Sequence, residues 1–173
     1  MASTGIFNMV SVSAIQFADA TADGSIPSTL DTVKIVAEGK FNPDFKAGSV
    51  TNETDELTQQ VFRARRAPST YAVKVDIPEV SVDQAAALLG GTANANELSV
   101  GATIVLPTNK YVVITGQNRL GKICTMKCYN CLVTTDWSGA VGANQATLAL
   151  SVTLSLMLDN SSPAKMFDYA VGS

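Results

Sequence analysis

The sequence predicts a mainly β protein, a two-sheet antiparallel sandwich or barrel with one short flanking helix and a long β-hairpin loop. Apolar and polar residues alternate in several stretches of the chain, and a period of two indicates β-strands. Most links between these stretches are short, which favours antiparallel pairing. Only one segment carries both the start and the stop signals of a helix. The 173 residues are predicted to form one domain, residues 1–173.

The clearest strand is Gln145–Leu158, which reads QATLALSVTLSLML. Its large apolar residues share one predicted core face: Leu148, Leu150, Val152, Leu154, Leu156 and Leu158. The opposite face carries only small neutral side chains, among them Thr147, Ser151, Thr153 and Ser155. Strand faces open to bulk water usually carry charged residues. We therefore expect these four residues to face a second copy of the protein or a narrow lumen.

The first third of the chain is predicted to contain an arm, two strands and a long loop. Residues 1–31 are interpreted as an N-terminal arm with a first strand at Asn8–Phe17. Thr32–Phe41 reads as the second strand. Residues 42–69 are polar and are interpreted as an extended loop that reaches a neighbouring subunit, with a further strand at Leu57–Arg63.

The long loop carries opposite charges on its two limbs. The acidic residues are Glu53, Asp55 and Glu56, and the basic residues are Arg63, Arg65 and Arg66. We hypothesise that the acidic limb of one subunit meets the arginines of the next. The alternatives are an arginine cluster that contacts phosphate and, more commonly, a solvated face with local salt bridges.

The middle of the chain predicts a strand followed by the helix. Thr70–Ile77 alternates cleanly and ends at Pro78. Ser81 and Gln84 have the spacing of a capping box, in which the side chain of each residue accepts a hydrogen bond from the backbone N–H of the other. The helix-forming residues after them, 85–89, end at two glycines.

The second half of the chain is predicted to hold shorter elements. In order they are a loop at Thr92–Ser99, strands at Ala102–Leu106 and Lys110–Thr115, a turn at Gly116–Gly121, a strand at Lys122–Thr135 with a bulge near Asn130, a turn at Asp136–Asn144, and a C-terminal tail at 159–173 that orders only if it docks.

Three cysteines form the sharpest chemical motif in the sequence. Cys124, Cys128 and Cys131 have the C-x3-C-x2-C spacing of the iron–sulfur motif of radical SAM enzymes. That motif belongs to chains with alternating strands and helices, whereas here it lies in a predicted strand of a β protein. A zinc site would need a fourth ligand. We therefore predict that the cysteines pack in the sheet and that the protein binds no metal or other cofactor.

The composition removes several functional classes. The chain has no histidine, so Ser-His-Asp and Cys-His catalytic systems are absent, and no carboxylate pair stands out. A net charge of −3 argues against a dedicated nucleic-acid binder. The first basic residue is Lys34, no apolar run is long enough for a membrane helix, and nothing indicates an oxidising compartment. We predict a protein that is made in the cytosol and is not an enzyme.

The order of these segments resembles that of the major tail tube proteins of tailed bacteriophages. The resemblance covers roughly residues 30–158 and lies in the arrangement of segments. The segments are TVKIVAEGKF, a long polar loop, STYAVKVDIPEV, the helix SVDQAAALLGG, and the strands GKICTMKCYNCLVTTDW and ATLALSVTLSLML.

The resemblance implies a structural virion protein with a β-sandwich and one flanking helix. Six subunits would close into a ring, and stacked rings would form a tube that conducts the genome into the host. The implied partners are other copies of the chain, a tape-measure protein, a tail terminator and baseplate or tip proteins, with viral DNA in passage. The implied location is the virion tail, assembled in the bacterial cytoplasm. Two alternatives are a capsid decoration protein and the tube subunit of a contractile injection or type VI secretion system.

Overall fold

The computed structural model describes residues 9–33, 41–54, 61–67, 69–100, 109–138, 149–159 and 163–172. Twelve strands and one helix lie within these ranges. They are β1 (Ser11–Asp19), β2 (Asp31–Val33), β3 (Phe41–Lys46), β4 (Val50–Thr54), β5 (Val61–Arg66), β6 (Thr70–Ile77), α1 (Val82–Leu89), β7 (Thr92–Asn94), β8 (Glu97–Ser99), β9 (Lys110–Gln117), β10 (Ile123–Ser138), β11 (Ala149–Met157) and β12 (Phe167–Val171).

Eight of these strands form one antiparallel sheet in the order β2-β1-β9-β10-β11-β6-β3, with β12 added to β10. The sheet is organised around β10, which is 16 residues long. The first half of β10 pairs with β9 and β12, and its second half pairs with β11. Residues from both halves of the sheet share one buried cluster. The predicted mainly β, antiparallel fold is confirmed and is consistent with a β-sandwich.

The core contains most of the alternating apolar residues that the sequence indicated, and Leu148 lies outside the described residues. Along β11 these are Leu150, Val152, Leu154 and Leu156, all buried. The apolar residues Val73, Val75 and Ile77 of β6 are buried as well. The prediction was wrong for Leu158, which is 55% exposed because β11 ends one residue earlier, at Met157.

Helix α1 begins and ends as predicted. The Ser81 hydroxyl accepts a hydrogen bond from the Gln84 backbone N–H at 3.1 Å, and the Gln84 side-chain oxygen accepts one from the Ser81 N–H at 3.1 Å. Gly90 ends the helix in the left-handed conformation with φ of 78°. The Gln84 amide also donates to the Thr32 carbonyl at 3.1 Å, which joins the helix to β2. Leu88 packs into the core.

Three segments predicted wholly or largely as loop or tail contain strands. Thr92–Ser99 forms the β7–β8 hairpin, which turns at Ala95 with φ of 51°. The loop at 42–69 contains most of β3 and all of β4 and β5, and the tail at 159–173 contains β12. These strands lack the long apolar alternation on which the prediction relied, because they lie at sheet edges or outside the main sheet. The strand predicted at Leu57–Arg63 within that loop corresponds to β5 in its described part, 61–63.

Other predicted segments hold with shifted boundaries. The first strand is Ser11–Asp19, paired between β2 and β9 as an internal strand of the sheet. Strands β9 and β10 continue beyond their predicted ends to Gln117 and Ser138. The predicted strand at Ala102–Leu106 lies outside the described residues, as do the middle of Thr32–Phe41 and most of the predicted turn at Asp136–Asn144.

Candidate assembly interface

The outer face of β11 carries the small residues that the sequence singled out. Ser151, Thr153 and Ser155 are half-buried and point away from the core, because Val152 and Leu154 between them point into it. Cross-strand neighbours place Ser151 between Asp136 and Asp76, Thr153 between Thr134 and Lys74, and Ser155 between Leu132 and Ala72. Thr147 lies outside the described residues. That a partner or a lumen lies against this face stays a prediction.

The short outward side chains of β11 project little from the sheet. The Ser151 hydroxyl donates to the Asp76 carboxylate at 2.6 Å, so it is held against the neighbouring strand. The Thr134 hydroxyl donates to the Thr153 carbonyl at 3.5 Å. Because side chains at the centre of the face turn back onto the sheet, another surface can approach the strands closely.

A second candidate surface is the β4–β5 ribbon, which we call the arm. Its two strands pair with each other and form a sheet separate from the main one. None of the arm residues whose side chains the structure describes belongs to the buried core cluster. The arm continues from the β3–β6 pair, because Ala67 N–H donates to the Ser49 carbonyl at 2.8 Å and Gly48 N–H donates to the Ser69 hydroxyl at 3.2 Å.

The register gives the arm two chemically different faces. Val50, Asn52, Val61 and Ala64 share one face, which we call the valine arm face, and the register places Arg66 opposite Val50 and Thr54 opposite Val61. Val50 is 59% exposed and Val61 is 52% exposed. Thr51, Glu53, Arg63 and Arg65 share the other, the charged arm face.

Among the described side chains, the two charged limbs meet within a single chain through one ion pair. The Arg65 Nε atom lies 3.0 Å from the Glu53 carboxylate, and both side chains are open to solvent. Asp55 and Glu56 lie outside the described residues, and Arg66 is described only by its backbone position in β5. The predicted contact between charges of neighbouring subunits stays a prediction, and the Glu53–Arg65 pair is the contact with which it would compete.

The three cysteines do not converge on one site. All are buried with free thiols on the core side of β10. Cys124 and Cys128 are four residues apart on one strand, a separation of about 13 Å between their Cα atoms. A register shift between Cys128 and Cys131 confirms the predicted bulge. The Cys128 thiol and then burial raise the pKa of Cys131, which disfavours a thiolate ligand.

No group of three or more Cys, Asp or Glu residues within the described ranges is arranged to hold a metal ion. Cys128 and Cys131 pack in the buried core cluster, where a small apolar side chain fits a crowded strand, and Cys124 is buried as well.

The sequence-based prediction missed an apolar cleft of about 230 Å³ lined mainly by β3 and β12. Strand β3 supplies Phe41, Pro43 and Phe45 to its wall, and β12 supplies Phe167 and Tyr169. The Phe45 and Phe167 rings stack with centroids 5.5 Å apart, although Phe45 is still 40% exposed. The signal was present in short alternating runs, Phe41-Asn-Pro-Asp-Phe45 and Phe167-Asp-Tyr169, which are too brief to be recognised as strands.

Comparisons with known proteins find similar solved structures but no family. No family model matches the chain, and no curated protein matches it. A chain in a cryo-electron microscopy structure of the anti-feeding prophage baseplate aligns with 98% of this chain and 97% of its own length. The identity is 11% and the TM-score is 0.42, values too low to assign a function. The helix in the described part of the chain is too short to cross a membrane.

Proposed function

We propose that this protein is a structural subunit that assembles with copies of itself, as a component of a phage tail or a related injection apparatus. The observation that carries the proposal is the arm. It is an antiparallel ribbon that stands outside the main sheet and shows apolar side chains to solvent. A two-stranded ribbon is marginally stable in water unless another surface covers it. A partner that covers the exposed valines of the arm would supply such a surface.

Within this class, we propose the tail tube as the specific role. Hexameric rings of the chain would stack into a tube that conducts the viral genome. The outer face of β11 would line the lumen or touch an adjoining subunit, because small neutral side chains offer a passing polyanion no strong binding site. A charged-residue content of only 16% is compatible with a subunit whose surface is largely covered in an assembly.

The proposed role is structural rather than catalytic and requires no cofactor. Its other partners would be the tape-measure protein inside the tube, the terminator at one end, and baseplate or tip proteins at the other. The tube would assemble in the bacterial cytoplasm and reside in the virion. Because the rings would repeat one interface many times, weak contacts at each arm would add up along the tube.

The test is to express the chain and examine it by size-exclusion chromatography and negative-stain electron microscopy. Rings or hollow tubes are expected. The matched variant replaces the arm, residues 50–66, with a short Gly-Ser turn that joins Ser49 to Ala67. It should keep the β spectrum of the wild type by circular dichroism and remain monomeric.

A wild-type chain that stays monomeric at all salt and protein concentrations would contradict the proposal and favour a decoration protein. Tubes formed by the arm-less variant would contradict the role given to the arm. Discrete trimers without tubes would also move the assignment to a decoration protein.

A further inference from the structure

We propose that the β9–β10 turn of one copy docks at a charged pocket on the opposite end of a second copy, with the Arg119 side chain in that pocket. The inference rests on the proposed self-assembly and names two surfaces that meet when copies follow one another along the direction of β9. We call residues 117–123 the tip, and we call the pocket beside Asp19 and Asp31 the acidic pocket.

The acidic pocket lies where the end of β1 meets β2, the start of β9 and helix α1. It has a volume of about 220 Å³, and Ala87 of α1 lies on one side of it. Alternation along β1 turns Phe17 and Asp19 to the same side of the sheet. Asp31 lies opposite Phe17, and Lys110 lies opposite Asp19. Because Phe17 is buried whereas both carboxylates are exposed, the pocket is apolar inside and acidic at its opening.

The acidic pocket has a carboxylate available for a partner. The Lys110 ammonium pairs with Asp19, and its side chain is almost fully buried. Asp31 is exposed and forms no ion pair with any other described residue. Two carboxylates therefore face one ammonium, which leaves an excess of negative charge. An arginine suits such a pocket, because its apolar stem can contact Phe17 while its guanidinium binds the Asp31 carboxylate.

The tip presents a cation and apolar side chains on an ordered turn. The Asn118 side chain is only 3% exposed, and its oxygen accepts hydrogen bonds from the Leu120 N–H at 2.9 Å and the Lys122 N–H at 3.0 Å. Arg119 is exposed and has no ion pair in the part of the chain that the structure describes. Leu120 is 62% exposed and Ile123 is 58% exposed. Because the backbone of the turn is already ordered, docking costs little conformational entropy.

The tip and the acidic pocket lie at opposite ends of one strand pair. Strand β9 begins at Lys110, opposite Asp19, and ends at Gln117, opposite Ser11. Seven residue steps along a strand span about 23 Å. Arg119 therefore cannot reach the acidic pocket of its own chain, and the two surfaces can meet only between copies.

The contact joins two different surfaces, so it is heterologous. Each pair of docked copies keeps a free tip at one end and a free pocket at the other, and the contact continues into a ring or a filament. The charges also disfavour the reversed arrangement, in which two basic tips would face each other. The contact therefore gives the assembly a direction.

A charge swap tests the contact. Arg119→Glu and, separately, Asp31→Arg should each raise the protein concentration needed for assembly by about tenfold or more, because like charges would then face each other. The chain that carries both substitutions should regain most of the assembly. All three variants should keep the wild-type circular dichroism spectrum, because both positions are exposed. Light scattering against concentration measures assembly.

Two control variants make the swap specific. Asp23 is an exposed carboxylate between β1 and β2 that does not line the acidic pocket. Asp23→Arg should therefore give no rescue when it is combined with Arg119→Glu. Arg119→Lys keeps the positive charge and should assemble at nearly the wild-type concentration.

Cysteine cross-linking tests proximity and leaves Arg119 and Asp31 in place. A Leu120→Cys preparation is mixed with a Thr29→Cys preparation under mild oxidation, because Thr29 lines the acidic pocket. We expect a disulfide-linked band of twice the chain mass that forms only in the mixture. Ser13→Cys, at an exposed position of β1 between the two ends, should give little cross-link in place of Thr29→Cys. The wild type is the background control, because its three cysteines are buried.

The outcomes separate this inference from the proposed function. Normal tubes from Arg119→Glu, or a loss of assembly that Asp31→Arg does not rescue, would overturn the docking site and leave the tube intact. A specific cross-link between positions 120 and 29 in chains that form neither rings nor tubes would support the docking site and overturn the tube. The absence of both cross-link and assembly would overturn both.

Discussion

Two pairs of antiparallel strands in this protein follow the same rule of alternation and meet different surroundings. In the β6–β11 pair, Val75 lies opposite Val152, and both are buried against the other half of the sheet. In the β4–β5 pair, Val50 and Val61 share one face, yet both are more than half exposed. Other segments of the same chain cover the first pair. The second pair shows that alternation places apolar side chains on one face but does not determine what covers that face.

The contrast also appears in the polar faces. The small hydroxyl residues of β11 hydrogen bond back to the sheet, as Ser151 does to Asp76. The charged arm face instead carries a solvent-accessible ion pair between the long side chains of Glu53 and Arg65. A strand with short side chains permits close contact over an area, whereas an exposed ion pair favours a specific register with little net stabilisation.

The largest expected effect is on the free energy of unfolding, when the same valine-to-aspartate change is made in the core and in the arm. Val152→Asp should lower the free energy of unfolding by about 4 kcal/mol or more, because Val152 is only 3% exposed and a buried carboxylate has no partner there. Val61→Asp should change it by no more than about 0.5 kcal/mol, because the site is exposed. Thermal unfolding followed by circular dichroism measures both. A native-like Val152→Asp protein would show that the core assignment is wrong.

A second substitution tests the small-residue face. Ser151→Arg should leave a folded monomer, because the position points out of the core, but should disturb assembly by placing a long cation where strands are approached closely. Ser151→Thr is the conservative control and should assemble. Electron microscopy measures assembly, and thermal unfolding measures stability. Outright unfolding of Ser151→Arg would contradict the assigned face, and normal tubes would contradict its role in assembly.

Charge reversal on the arm gives a smaller effect per contact. Replacing Arg63 and Arg65 with Glu should weaken polymerisation, because each exposed ion pair contributes at most about 1 kcal/mol and the contact repeats along the assembly. Adding Glu53→Lys should restore part of it. Light scattering against concentration measures the change.

Salt provides the control for the charge-reversal experiment, because screening should weaken wild-type assembly in the same direction as the reversal. If the added lysine gives no rescue, the charges on neighbouring subunits do not meet, and the Glu53–Arg65 pair serves only the arm itself.

The smallest expected effect concerns the docking of β12. The Tyr129 hydroxyl donates to the Asp168 carboxylate at 2.6 Å and joins β10 to β12. That bond, and then burial, raise the pKa of Tyr129 from 10.0 to about 12. Its stabilising contribution is therefore complete below pH 10 and is lost as the pH rises toward about 12.

The same hydrogen bond lowers the pKa of Asp168 below 3.8, so its contribution is present above that pH and lost as the pH falls through the lowered value. Tyr129→Phe should cost about 0.5 kcal/mol near neutral pH. It should also reduce the loss of unfolding free energy at acidic and at alkaline pH, which urea unfolding at a series of pH values measures. An unchanged profile would mean that the bond contributes nothing to holding β12.

Local sequence signals determined several elements of this protein. The capping box of Ser81 and Gln84 and the glycine at 90 define α1 within a few residues, because their hydrogen bonds are made between near neighbours in sequence. The alternation of Val152 and Leu154 with Ser151 and Thr153 identified both faces of β11, because a period of two holds whatever the partner strand is.

Only the tertiary structure decided the rest. Whether Phe167 and its neighbours form a strand depends on a free edge along β10, which lies far from them in sequence. The spacing of the cysteines could not show that Cys124 and Cys128 are held apart on one strand. The apolar cleft between β3 and β12 and the exposed arm arise from which surfaces the folded sheet covers. Local periodicity sets the direction of a side chain, whereas burial depends on distant segments that pack against it.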